Sequence, residues 1–113
     1  MKYYVYILYA EAHDKYYIGQ TQDVAARLKR HNDGIETYSK KFAPWILIWC
    51  TEKSTRSESV ILESKLKNLS KERIRAWVIQ KNSLQVETLR VIQHPVFPTE
   101  SEVLGFKFKH LFL

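Results

Sequence analysis

The sequence predicts a small α/β domain of the α+β type, a three-stranded antiparallel sheet flanked by helices in the order β-β-α-β-α-α. Three observations predict it. Residues 3–9 are almost wholly β-branched or aromatic, the composition of a strand buried on both faces. Residues 45–50 repeat that composition. Between and after these two runs, apolar residues recur at helical spacing behind residues suited to cap a helix.

The run Tyr3-Tyr4-Val5-Tyr6-Ile7-Leu8-Tyr9 is the first strand and, being apolar on both sides, a central one. A polar segment of hairpin-loop size, residues 11–15, separates it from a second, antiparallel strand over residues 16–19, so that Tyr6 and Tyr17 are brought side by side. Thr21 or Asp23 can accept the orphan amide protons of a helix carrying Val24, Ala25, Ala26 and Leu28. That helix ends near Asn32-Asp33-Gly34, where the glycine supplies a left-handed stop. A lysine-bearing loop, residues 35–44, closes on Pro44 before the third strand at residues 45–50. Residues 57–69 place Ile61, Leu62, Leu66 and Leu69 at helical spacing, and Ser70 with Glu72 can cap a last helix carrying Ile74, Trp77 and Val78.

Composition shifts beyond Asn82, which divides the chain into a domain over residues 1–83 and a tail over residues 84–113. Residues 85–92 and 105–113 alternate as strands do, or lie extended over the domain, or reach a partner; their Val, Leu and Phe favour ordered packing.

At 113 residues the chain is one domain's worth. Its net charge of +6 lies entirely within residues 1–83. Such an excess attracts polyanions, the footprint of a nucleic-acid binder, although many small soluble proteins share it. The lone Cys50 sits in an apolar run, has no internal partner for a disulfide and reads as a core thiol, which fits a reducing cytoplasm. The amino-terminal residues lack the pattern of a signal peptide and no apolar run reaches transmembrane length, so a soluble, intracellular protein without membrane contact is expected. CxxC, HExxH, P-loop and dinucleotide glycine patterns are all missing, which sets aside the zinc, NTPase and Rossmann classes. His13, His94 and His110 are scattered and read as ordinary surface or tail histidines.

Five residues stand out for chemistry. Tyr6 and Tyr17 are, taken singly, strand aromatics, and Tyr3, Tyr9 and Tyr16 stay in that class. Two phenols presented to one cleft, however, gain use beside a metal or cations that favour phenolate. Arg27 and His31, four apart, share one helix face, which is otherwise read as a solvated basic surface with Lys29 and Arg30. A planar guanidinium suits the spread charge of a pentacovalent phosphorus, and a histidine relays a proton or orients a tyrosine. Glu63 borders the buried stripe of the second helix; an i,i+4 pair with Lys67, worth about 0.2 to 0.5 kcal/mol, explains it adequately, and a single carboxylate holding Mg²⁺ is the functional alternative.

Tyr4-Val5-Tyr6, then Tyr17-Ile18-Gly19-Gln20-Thr21-Gln22-Asp23, then Arg27-Leu28-Lys29-Arg30-His31-Asn32 and the stretch Glu63-Ser64-Lys65-Leu66-Lys67 together resemble the GIY-YIG nuclease family, specifically its small single-domain bacterial members related to the amino-terminal nuclease domain of UvrC. The likeness covers about residues 2–81, with Tyr4 where the first motif has glycine. A late asparagine seen in some members corresponds to Asn68 or Asn82. The resemblance implies Tyr6 as general base, Tyr17 in contact with the attacking water or scissile phosphate, Arg27 and His31 organising the phosphate, and Glu63 binding one Mg²⁺ or Mn²⁺ ion.

The expected function is thus divalent-metal-dependent endonuclease action on DNA, in preference to RNA, in repair or recombination, with Lys29, Arg30, Lys40, Lys41, Lys65 and Lys67 as phosphate contacts. Two other readings compete. One is a non-catalytic nucleic-acid-binding module of the same fold, and the other an interaction protein that docks a partner through its aromatic tail.

Overall fold

The computed structural model describes residues 2–82, in which β1 (Tyr3–Ala10), β2 (Lys15–Thr21), α1 (Val24–Asn32), β3 (Ile46–Lys53), α2 (Arg56–Lys67) and α3 (Lys71–Asn82) succeed one another. Both strand pairings are antiparallel and the order is β2-β1-β3, so the run over residues 3–9 is indeed the middle of the sheet. The expected α+β architecture and element order are what the fold has. The tail beyond residue 83, including the alternating stretches at residues 85–92 and 105–113 and His94 and His110, lies outside the described residues.

Because side chains alternate along a strand, β1 supplies two cores at once. Tyr6, Leu8 and Ala10 pack with Val24 and Leu28 of α1 and with Trp45, Leu47 and Cys50. Val5, Ile7 and Tyr9 pack with Leu66 of α2 and with Ile74 and Val78 of α3. A bulge in β3 opposite Ile7 and Leu8 breaks the alternation there. It leaves Ile48 and Trp49 both on the α2 and α3 side, since a bulge opposes two residues to one and re-aims the neighbouring side chains.

The ends of the elements obey local chemistry. The Asp23 carboxylate accepts from the Ala26 amide at 3.0 Å to start α1, and Gly34 adopts φ 77°, the left-handed stop expected of it. Thr55 caps α2 by accepting from the Glu58 amide at 3.1 Å, and the Ser70 hydroxyl accepts from the Arg73 amide at 3.3 Å at the start of α3. In the hairpin, a short 3-10 helix at Glu11–His13 leads to Asp14 with φ 50°. Asp14 receives the Tyr9 hydroxyl at 2.7 Å, Lys71 and Arg75, and so ties the hairpin to α3.

One apolar assignment is corrected. Ile61, expected in the buried stripe of α2, is 66 % exposed, while Ser59 and Leu66 are fully buried. Leu62, Leu66 and Leu69 are four and three residues apart and fill the face; Ile61 lies about 100° around the helix from Leu62. No helix of the described residues is long and apolar enough to cross a membrane.

Candidate active site

Gly19 stands opposite Tyr6 in the β1–β2 ladder, and the Tyr6 ring lies directly over it. A Cβ at Gly19 would come within 2.6 Å of the Tyr6 hydroxyl oxygen and 2.7 Å of Cζ. The second motif therefore uses glycine for close approach, so that a rigid phenol can extend across the edge strand toward the boundary of the sheet.

The Tyr6 hydroxyl reaches Nε2 of His31 at 3.2 Å, and Nδ1 of the same ring meets the Ser39 hydroxyl. The Ser39 carbonyl in turn accepts from Nε1 of Trp45 at 2.8 Å. All four residues are buried. Burial holds His31 below its usual value, the Glu36 carboxylate partly opposing and the Arg27 and Arg30 charges adding to the depression, so the ring is neutral at neutral pH. A neutral imidazole donates from one nitrogen and accepts at the other, which matches its two hydroxyl neighbours. Burial, then the adjacent Tyr17, raises the Tyr6 phenol well above its ordinary value; Arg27 pulls the other way, and Glu36 and Glu63 add to the rise.

Tyr17 is the more accessible phenol. Its ring stacks beside Tyr6 with centroids 6.3 Å apart and sits 4.5 Å from His31, while the residue stays partly exposed. The hairpin does bring the two tyrosines side by side. Sealed from solvent, the Tyr6 phenol resists losing its proton. Arg27 lies one turn before His31 on α1, partly exposed, with no ion pair among the described residues. Its charge is felt at Tyr6, His31 and Glu36.

Glu63 approaches from the other side of the sheet. Its Oε1 accepts from Nε2 of Gln20 at 3.2 Å and its Oε2 lies 3.4 Å from Nζ of Lys67, with the carboxylate side chain 16 % exposed. Glu63 thus pairs with Lys67 while its charge also acts on the Tyr6 phenol. Gln20 is oriented by the buried Ser59, whose hydroxyl donates to Gln20 Oε1 at 2.7 Å and lies equally near the Arg56 carbonyl. Gln20, Ser39 and Ser59 were not singled out in the sequence. Strand alternation from Gly19 places Gln20 on the α2 side, but its partners lie 39 and 43 residues away.

The donor set fits one hard divalent ion. Among the described residues no three His, Cys, Asp or Glu side chains cluster as a metal cage. Magnesium in phosphoryl-transfer sites needs none, since it keeps waters and takes oxygens from one or two carboxylates and the substrate. Each Glu63 oxygen has a single nitrogen neighbour among the described residues, leaving lone pairs toward a cation.

Of the basic residues expected at phosphates, Lys29 pairs with Asp33, Arg30 with Glu36 at 2.8 Å, and Lys67 with Glu63. Lys65 lies 5.3 Å above the Trp77 ring. Lys40 and Lys41, in the 3-10 helix Ser39–Phe42, are exposed and form no ion pair among the described residues. Asn68 caps the end of α2, and Asn82 donates to the Ile48 carbonyl at 3.0 Å, tying α3 to β3.

Comparison with known proteins bears on this arrangement. Among curated proteins none matches the chain. A solved structure, the solution NMR structure of the UPF0213 protein BH0048 from Bacillus halodurans, is 28 % identical over 77 % of this chain and 98 % of that one, with a TM-score of 0.49. The family model described as the GIY-YIG catalytic domain matches residues 2–76, a span that holds both tyrosine motifs, Arg27, His31 and Glu63. By that match the chain belongs to the GIY-YIG family.

Proposed function

We propose that the protein is a divalent-metal-dependent endonuclease that hydrolyses phosphodiester bonds in DNA, acting in the cytoplasm in repair or recombination. One observation supports this reading most: the Tyr6 hydroxyl, laid over Gly19, meets His31 beside the Tyr17 ring, and Arg27 from α1 and Glu63 from α2 both act on its charge.

The division of labour rests on burial. Tyr17, accessible at that edge, orients the attacking water and takes its proton as the phenolate. Tyr6, sealed and hydrogen-bonded to neutral His31, holds the aromatic cluster in place. Arg27, in no ion pair among the described residues, neutralises charge as it spreads over the phosphoryl oxygens. Glu63 would hold a single Mg²⁺ or Mn²⁺, kept in orientation by Gln20; such an ion, when bound, supplies Lewis-acid stabilisation of the phosphoryl group.

The test is incubation with single-stranded, duplex and branched DNA, and with RNA, in Mg²⁺ or Mn²⁺. Cleavage of DNA is expected, falling by about 10³-fold in Glu63→Ala and in Arg27→Ala, since each removes several kcal/mol of charge stabilisation. Unchanged cleavage in both variants overturns the assignment. Tight, salt-sensitive DNA binding without products under either metal would instead mark a binding module.

A further inference from the structure

Beside Gln20 lies a polar cavity of about 200 Å³ lined by Tyr3, Gln20, Thr21, Gln22 and Arg56. It forms where the start of β1, the end of β2 and the start of α2 meet. Arg56 is exposed and makes no ion pair among the described residues. Lys53 stands opposite Tyr3 in the ladder and therefore on the same side of the sheet, a second cation close by.

Glu52 is engaged by Lys2 at 3.6 Å and by the Tyr4 hydroxyl at 3.4 Å, and Glu58 receives the Thr55 hydroxyl at 3.2 Å. The cavity lining itself holds one charged residue, the cation Arg56, among amide and hydroxyl groups. It shares one wall, the Gln20 side chain, with the carboxylate assigned to the metal.

We infer that this cavity is a second phosphate subsite, in which Arg56 binds a backbone phosphate of the nucleic acid neighbouring the scissile one. This rests on the proposed nuclease function for the identity of the ligand. Several cations expected at phosphates are compensated within the fold; Arg56 is not, and its planar fork can pair two phosphate oxygens. Gln20, whose amide nitrogen carries a second proton beyond the one given to Glu63, supplies a neutral donor that helps fix an oxyanion's position. A phosphate held here and another at Glu63 span the Gln20 side chain, so the subsite sets the direction in which a strand crosses the β2 edge.

The experiment measures binding of oligonucleotides by the full chain in chelator, where cleavage is absent, across a salt series. Arg56→Ala is expected to weaken binding about tenfold, the low end for a charged hydrogen bond. It should make the slope of log K against log salt shallower by about 0.9 on duplex or about 0.7 on single-stranded DNA. Arg56→Lys should restore the slope. A neutral methylphosphonate, moved one linkage at a time along the strand, should find one position that costs the wild-type protein the same loss and costs Arg56→Ala nothing further.

A wild-type slope in Arg56→Ala, or losses that add at every methylphosphonate position, overturns the subsite. Parallel cleavage assays separate it from the catalytic assignment. Wild-type cleavage alongside an unchanged Arg56→Ala slope ends the subsite and keeps the nuclease. Absence of cleavage alongside the reduced slope ends the nuclease and keeps the phosphate contact.

Discussion

The face of the sheet beneath α1 and the face beneath α2 and α3 are built from alternate residues of the same central strand, yet they bury different things. Under α2 and α3 the buried residues are Val5, Ile7, Ile18, Ile48, Leu66, Ile74 and Val78 with the rings of Tyr9 and Trp49, and one polar side chain, Ser59. Under α1, Tyr6, His31 and Ser39 form a polar chain at 1 % exposure or less inside the hydrocarbon. Burying polar groups is tolerable only when they are hydrogen-bonded, and a fully bonded network specifies one arrangement. The second face places its chemistry at the rim instead, where Glu63 and Gln20 remain partly exposed. Geometry and stability should therefore be coupled on the α1 face and separable at the α2 rim.

The sharpest way to break that contrast is Gly19→Ala. The added methyl would press within 2.6 Å of a buried hydroxyl on a ring that cannot swing aside without leaving His31. Overpacking of this kind costs about 1–3 kcal/mol. Displacing the aromatic cluster by about 1 Å should lower cleavage roughly 100-fold. Thermal unfolding and single-turnover cleavage measured on one preparation would check both; a variant that keeps its stability and loses only activity would contradict the coupling.

The same contrast explains what could be read from the sequence. The apolar composition that marks residues 3–9 as a central strand, the Asp23 and Ser70 caps and the stop at Gly34 are local, set by composition and by contacts within a few residues. The two tyrosines were legible as a pair because a hairpin fixes its own register. The seating of the buried Tyr6 hydroxyl against His31 was not, since it depends on Gly19 leaving room across the ladder and on α1 closing over it. Ser39 lay in a segment read as a polar loop, and its role arises only when that segment folds back under His31. The Gln20, Ser59 and Glu63 contacts join β2 to α2 across 39 and 43 residues, a pairing that no spacing along the chain encodes. Ile61 misled because the face that packs follows Leu62, Leu66 and Leu69, which leaves Ile61, about 100° around the helix, outside it.

A smaller effect is expected at the rim. Gln20→Ala removes the amide that holds Oε1 of Glu63 and should weaken Mn²⁺ binding about 10- to 100-fold, the usual loss when a group orienting a metal ligand is deleted. Calorimetric titration of Mn²⁺ without DNA reads this directly. Stability should change far less than in Gly19→Ala, because a partly exposed hydrogen bond contributes only about 0.5–1.5 kcal/mol. Unaltered Mn²⁺ affinity would mean that Gln20 does not position the carboxylate.

The gentlest probe of the α1 face is pH. In the fold, burial keeps His31 neutral below its ordinary value of 6.5, whereas the unfolded chain takes up a proton near that value. Above 6.5 neither state is protonated and the stabilisation from the buried neutral ring is fully present. As pH falls below it, the unfolded state binds the proton first and stability declines, until the pH passes the lowered folded value and the loss levels off. One such group gives a slope of at most about 1.4 kcal/mol per pH unit. Asp14, held below its usual 3.8 chiefly by the Tyr9 hydroxyl, loses its contribution only at lower pH, so the two windows separate. Urea unfolding of the wild type and of His31→Gln across the weakly acidic range should give curves that converge toward acid pH, the variant lacking the decline that begins near 6.5. Parallel curves would place the titrating group elsewhere and leave the Tyr6–His31–Ser39 chain without the neutral ring that its hydrogen bonds require.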